Sequence, residues 1–136
     1  MGYAGSSFSL TLILAGSYNT PGWVFQVYIS GNHAYIADSH AGLHVVDISN
    51  PSSPRLAGSY RTKTPRSETM DVYISGNYAY IADRNAGLQV VDISIPTSPT
   101  LVSAYDIEGK GGALSIYAAG NYAYLTDSWC GLLTPI

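Results

Sequence analysis

The feature that most constrains this chain is a repeat. Gly76-Asn77-Tyr78-Ala79-Tyr80-Ile81-Ala82-Asp83 and the Gly87-Leu88-Gln89-Val90-Val91-Asp92-Ile93-Ser94 that follows recur upstream over Gly31–Ser49, and a third copy starts at Gly120. The Gly-Asn pairs at Gly31, Gly76 and Gly120 are 45 and 44 residues apart, and Asp38, Asp83 and Asp127 keep that spacing. A second marker, Leu-Ala-Gly-Ser-Tyr, stands at Leu14–Tyr18 and Leu56–Tyr60, with a degenerate copy at Leu101–Tyr105. A unit of this length carrying several short strands cannot bury its own apolar face. Stacked copies can, and a period of about 40–50 residues is that of propeller blades.

Each repeat reads as four strands. Strand a is Phe25–Ser30, Met70–Ser75 and Leu114–Ala118; strand b is Ala34–Asp38, Ala79–Asp83 and Ala123–Asp127. The Gly-Asn between them signals a tight hairpin, because both central positions tolerate positive φ. A short turn ending in Gly leads to strand c, Leu43–Ile48 and Leu88–Ile93, which closes on a proline-bounded loop, Asn50–Pro54 or Ile95–Pro99, where Pro ends the ladder. Strand d is Arg55–Tyr60 and Leu101–Asp106, and Leu12–Tyr18 is read as a strand d at the start of the chain. Strands b and c are almost continuously apolar, which calls for cover on both faces. No amphipathic helical stripe or capping box is present. The expected fold is therefore all-β, a propeller of four-stranded antiparallel blades with three blades' worth per chain: strand d at 12–18, blades at 23–60 and 68–106, and an incomplete a-b-c blade at 113–136.

Three blades are too few for a ring, and the first strand is the piece the last blade lacks. The expected solution is head-to-tail association, with strand d of one chain completing the last blade of the next, most economically as a six-bladed homodimer. Nine-bladed rings, filaments, or a chain that is a fragment of a larger multi-blade protein remain alternatives.

Composition excludes several classes. A net charge of −3 gives no reason to expect nucleic acid as a partner. No run reaches the roughly 18 apolar residues of a membrane-spanning helix, so membrane insertion is not expected. Leu10–Gly16 has no preceding basic residue and aligns with a repeated strand, which argues against a signal peptide. Met1–Ser6 fits the loose myristoylation pattern without a second membrane signal. Cys130 is the single cysteine, aligned with Ala41 and Ala86, and is expected to be small and at least half-buried.

The units Gly-Asn-Tyr-Ala-Tyr-Ile-Ala-Asp, Gly-Leu-Gln-Val-Val-Asp-Ile-Ser and Pro-x-Ser-Pro-x-Leu resemble the LVIVD repeat of bacterial and archaeal proteins, from Leu14 onward. The resemblance implies a β-propeller and no catalytic residues. It also suggests a cell-surface or secreted location, although no signal peptide is evident. Met1–Thr11 and Leu133–Ile136 depart from the pattern.

Candidate chemistry is sparse. Asp38, Asp83 and Asp127 end strand b, and Asp47 and Asp92 end strand c. One carboxylate per turn is too few for Ca²⁺, whereas Asp at a turn readily accepts backbone N–H bonds. His33, His40 and His44 are replaced by Tyr78, Asn85 and Gln89 in the next repeat, and zinc needs at least three well-placed ligands. Gly109-Lys110-Gly111-Gly112 lacks the full phosphate-loop spacing and a following helix, and reads as a flexible d–a connection. No nucleophile motif is found, so no enzyme and no cofactor or metal are expected.

The repeats differ on one rim. The a–b turns and c–d loops on the other rim are alike, but the d–a loops (Asn19–Trp23, Arg61–Glu68, Ile107–Gly112) and the b–c turns vary. Five of the six basic residues and both tryptophans fall there. Loops on a rigid scaffold are where binding residues gather, and Trp and Arg are the usual anchors. Trp23, His40, Arg61, Lys63, Arg66, Arg84, Lys110 and Trp129 are therefore the candidate binding residues, for a glycan or a protein surface. The functional expectation is a non-catalytic structural or binding module. The alternatives are a carbohydrate-binding, lectin-like propeller, a fragment of a larger surface protein, and an enzyme with a site on the ring axis.

Overall fold

A computed structural model describes residues 10–107 and 111–134. The described residues are all-β. Three antiparallel sheets follow one another along the chain. The first is β1 (Gln26–Ser30), β2 (His33–Ala37), β3 (Leu43–Asp47) and β4 (Arg55–Tyr60); the second is β5 (Thr69–Ser75), β6 (Tyr78–Asp83), β7 (Gly87–Asp92) and β8 (Thr100–Tyr105). The third is β9 (Ala113–Ala119), β10 (Tyr122–Asp127) and β11 (Gly131–Leu133), paired in the order β11-β10-β9. Each sheet is a plain meander, as short two-residue hairpins and proline-bounded loops dictate.

The expected tight hairpins form at all three Gly-Asn pairs, with positive φ at the glycine alone. Gly31, Gly76 and Gly120 all have φ of 59°, but among the described residues the sole non-glycine with positive φ is Ser39. The asparagines therefore keep ordinary backbone geometry, and glycine at the first central position is the type II′ pattern.

The sheets stack face to face. β5 lies against both β1 and β9, so the a strands form the line along which neighbouring blades meet. One face of the second sheet (Val72, Ile74, Ala79, Ile81, Val91, Ile93) packs with Tyr35, Ala37, Leu43 and Val45 of the first. Its other face (Ala82, Leu88) packs with Ala113, Ile116, Ala123 and Leu125 of the third. This double cover is why strands b and c are apolar at successive positions. Three tyrosines at equivalent positions link the blades: the rings of Tyr28 and Tyr73 are 5.2 Å apart, and those of Tyr73 and Tyr117 are 4.5 Å apart. Asp71 adds a polar tie, its Oδ2 accepting the Ile116 N–H at 2.9 Å. Burial pushes the Asp71 carboxyl up, opposed by the N–H groups of Ile116 and Val72.

The end sheets each leave a face uncovered. Val27 and Ile29 are 50% and 56% exposed, whereas their repeat equivalents Val72 and Ile74 are 2% and 6% exposed beneath the first sheet.

The run Leu12–Tyr18, expected as a strand, makes no ladder, because no strand c lies beside it among the described residues. It nevertheless sits where a strand d belongs. A Cβ on Gly16 would be 2.3 Å from the Pro51 carbonyl oxygen, and one on Gly58, in β4, would be 2.2 Å from that of Pro96. The missing partner shows in exposure: Leu14 is 87% exposed, and its paired equivalent Leu56 is 48% exposed.

The third sheet shows the complementary gap. Gly42 and Gly87 each lie so close to a strand d that a Cβ would be 2.3 Å from the carbonyl oxygen of Tyr60 or Tyr105. Gly131, with a similar φ of 77°, has nothing within 4 Å of a Cβ placed on it among the described residues. Cys130 beside it is exposed rather than buried or half-buried.

Candidate functional site

The rim carrying the d–a loops is organised by one aspartate per blade. Each ends a strand b and reaches across to a d–a loop about 16 residues away in sequence. Asp83 accepts from Ser67 Oγ (2.7 Å), Glu68 N (3.2 Å), Asn85 N (3.0 Å) and Ala86 N (3.0 Å). Asp127 accepts from the backbone N–H groups of Gly111, Gly112, Trp129 and Cys130 at 2.8–3.1 Å. Burial alone would push the Asp127 carboxyl up; its four N–H donors prevail and hold it at about 2. Gly111 and Gly112 are thus pinned to the b–c turn, and this half of the loop is not the flexible connection the sequence suggests.

Asp38 behaves differently. Its carboxylate accepts from Thr20 Oγ1 and Gly22 N, both at 3.1 Å, while the Ala41 N–H of the turn that follows goes to the Asp38 backbone carbonyl at 2.8 Å. That turn carries Ser39 at φ 46° and is held instead by a two-way backbone bridge between Ser39 and Thr69. Asp47 and Asp92, on the opposite rim, form local Asx turns to the Ser49 and Ser94 N–H groups at 2.8 Å, and the hydroxyls of those serines first, then their N–H groups, lower both carboxyls.

These turns decide which candidate residues meet. Trp23, His40 and Arg61 line one cleft of about 720 Å³, together with Pro21, His44 and Glu68. His40 Nδ1 is 3.0 Å from the Ser67 carbonyl oxygen, which fixes the ring against the neighbouring d–a loop. Lys63 lies apart, in a cleft of about 610 Å³ with Asn85 and Gln89. The Arg66 carbonyl accepts from Asn85 Nδ2 at 2.5 Å, and Arg84 pairs loosely with Glu68 at 3.8 Å. Trp129 covers Gly111, one blade further on. Lys110 lies outside the described residues. The eight candidates thus share a rim but not a single site.

Two residues of this cleft are not among the binding residues expected from the sequence, which weighs His44 only as a zinc ligand. Glu68 is a wall of it, and His44 projects from β3 into it while only 6% exposed. His33, by contrast, is paired opposite Asp47 at the other end of β2 from the b–c turn, so the three histidines do not converge. Among the described residues no group of three His, Cys, Asp or Glu side chains has metal-binding geometry. A further cleft of about 440 Å³, between β8 and the Gly120–Tyr122 turn, is lined without any charged side chain.

Repeated four-stranded meanders, stacked face to face through their apolar b and c strands, define a β-propeller module. The LVIVD repeat matches residues 21–62, 67–107 and 110–134, most of the chain, which therefore belongs to the LVIVD repeat family. A computationally designed protein, Ika4, has a similar fold in its crystal structure, with a TM-score of 0.64 at 14% identity. The alignment covers 82% of this chain and spans 64% of that one. No curated protein matches the sequence.

Proposed function

We propose that this repeat propeller is a non-catalytic binding module that assembles head to tail, strand d of one copy completing the last blade of the next. The observation that carries the reading is the seat beside Gly131. Gly42 and Gly87 are glycine because a tyrosyl carbonyl of strand d comes within 2.3 Å of the missing Cβ; Gly131 keeps the glycine and the φ while nothing lies there. The segment that fits the seat is Leu14–Tyr18, identical in sequence to Leu56–Tyr60, which fills it at β3. By the registers Leu43↔Tyr60 and Leu88↔Tyr105, Tyr18 would come beside Leu132. The uncovered Val27 and Ile29 would meet the same neighbour.

Two copies would close six blades, and native mass spectrometry of the 136-residue chain tests this. A species at twice the 14.5 kDa chain mass supports strand exchange. A monomer at micromolar concentration refutes it and assigns the seat to a continuation of the same polypeptide.

The varied rim is the binding face in this reading, because that is where the blades differ while their other rim repeats. Glycans or acidic protein patches suit its basic and aromatic residues. Replacing Arg61, Arg66 and Trp129 together with Ala should abolish capture on a glycan and protein panel without altering assembly; unchanged capture sinks the rim reading.

A further inference from the structure

We propose that Leu14–Tyr18 is a preformed docking arm for a second copy of this chain, and that Asp38 is the residue that positions it. The inference rests on the head-to-tail reading and adds how the arm is held before it meets its seat.

The three strand-b aspartates differ in how they spend their oxygens. Asp83 and Asp127 divide their carboxylates between the preceding d–a loop and the b–c turn that follows. Asp38 gives both oxygens to the d–a loop: Oδ1 accepts from Thr20 Oγ1 and Oδ2 from the Gly22 N–H, each at 3.1 Å. Its own turn needs neither, because the Ala41 N–H goes to the Asp38 carbonyl and Ser39 is bridged to Thr69. Gly22 lies so close that a Cβ there would be 2.9 Å from Asp38 Oδ1 and 2.7 Å from the Asp38 carbonyl oxygen. Asp38 itself is fully buried, so the anchor belongs to the rigid blade and not to the loop.

The loop it grips is the one that most needs a grip. The second d–a loop leaves β4, which β3 holds in a ladder, and the third leaves β8, which β7 holds likewise. The first leaves the arm, which has no ladder among the described residues. A second hold stands on the opposite rim, where Gly16 meets the Pro51 carbonyl as Gly58 of β4 meets that of Pro96. Both holds lie within one chain. Fixed at Gly16 on one rim and at Thr20 and Gly22 on the other, the arm follows the course of a strand d while its ladder edge stays unpaired. The open seat beside Gly131 of a second copy offers the matching edge, and no segment has to leave a ladder before the two meet. Preorganisation of this kind removes an ordering cost from association. An arm that loses its hold can dock only in the fraction of chains where it keeps its course, and apparent affinity falls by that fraction.

The test alters the loop, because Asp38 is buried beside His44 and its own replacement would disturb the blade. Thr20→Val deletes one bond to the carboxylate, and Gly22→Ala drives the loop away from it. Sedimentation gives the dissociation constant of each full-length chain. Exchange between unlabelled and heavy-isotope copies, followed by native mass spectrometry, gives the dissociation rate. Thr20→Val should raise the dissociation constant of a closed pair about 25-fold, about fivefold for each of its two arms, and Gly22→Ala at least as much. The dissociation rate should stay near wild type, so that the change lies in association. Asp92→Ala, which loses exposed bonds on the other rim, should change neither quantity. A wild-type dimer whose constant both variants leave unchanged overturns the role of Asp38 and leaves the head-to-tail reading standing. A loss carried wholly by faster dissociation does the same, since the loop bonds would then form only in the joined state. A wild type that stays monomeric overturns the reading and this role together.

Discussion

Gly131→Ala separates the proposed assembly from ordinary blade stability. In the single chain a Cβ at this position meets nothing within 4 Å. Its local cost is that of a non-glycine residue at positive φ, about 1–3 kcal/mol. In an assembly with the geometry of the first two blades, the new Cβ would stand about where Gly42 and Gly87 place theirs, 2.3 Å from a tyrosyl carbonyl oxygen. That is far inside the roughly 3.5 Å at which nonbonded heavy atoms settle. Overpacking of this kind costs about 1–3 kcal/mol per site. A closed pair has two such seats, so dimerisation should weaken roughly 30-fold at the low end and about 10⁴-fold at the high end. Sedimentation velocity over a concentration series reads the midpoint directly. Two variants supply the controls. Gly120→Ala, at φ 59° with open space around it, strains the same sheet without touching the seat, and should leave the midpoint near wild type. Gly42→Ala meets Tyr60 within its own chain and should lower unfolding stability instead. If Gly131→Ala and Gly120→Ala shift the midpoint equally, the seat is not where chains join.

Three further outcomes follow from the contacts. Asp83→Ala strands three donors, among them the buried Ser67 hydroxyl, and leaves the Ala86 N–H only its 3.3 Å bond to the carbonyl of residue 83, so it should cost about 2–4 kcal/mol in urea unfolding. Asp92→Ala, which loses only exposed bonds to Ser94, should cost far less, and equal losses would contradict the bridging role. Tyr73→Ala removes the ring between Tyr28 and Tyr117 and should destabilise by about 2–4 kcal/mol, read as a fall in melting temperature. Asp127, held at about 2 against an ordinary 3.8, contributes stability that is complete above pH 4 and lost as the pH falls toward 2. Asp127→Asn should flatten that part of the acid-unfolding curve, and an unchanged curve would rule the contribution out.

The blades were legible because each position is set by an environment that recurs. Observed strand ends in the paired sheets lie within one residue of the runs read from the repeat. What escaped was whatever depends on another segment of chain. Leu14–Tyr18 carries the residues of a strand d, but a strand exists only where a neighbour accepts its hydrogen bonds, and none does here. Cys130 aligns with half-buried Ala41 and buried Ala86, yet it is exposed, and among the described residues no strand lies beside its neighbour Gly131 as strands d lie beside Gly42 and Gly87. The aspartates looked like local turn formers because their partners, some 16 residues upstream, leave no mark in the adjacent sequence. His44 looked like one blade's variant of Gln89. Only the contacts show that the fold satisfies the glutamine and not the histidine. The rim's variability was readable, but its division into separate clefts by the b–c turns was not.

The single-sidedness of the loops has a consequence for attachment. A rotation about a propeller axis carries each rim onto itself, so every copy in a closed head-to-tail ring presents its d–a loops in the same direction. Two equal sites on one flat face, a fixed distance apart, can grip a repeating polymer or a crowded surface at two points. The second contact is then intramolecular, with an effective concentration in the millimolar range where the spacing matches. In the proposed ring, weak, shallow clefts would become sufficient under those conditions, and the spacing of ligand groups, more than the affinity of either cleft, would select the surface to which it adhered.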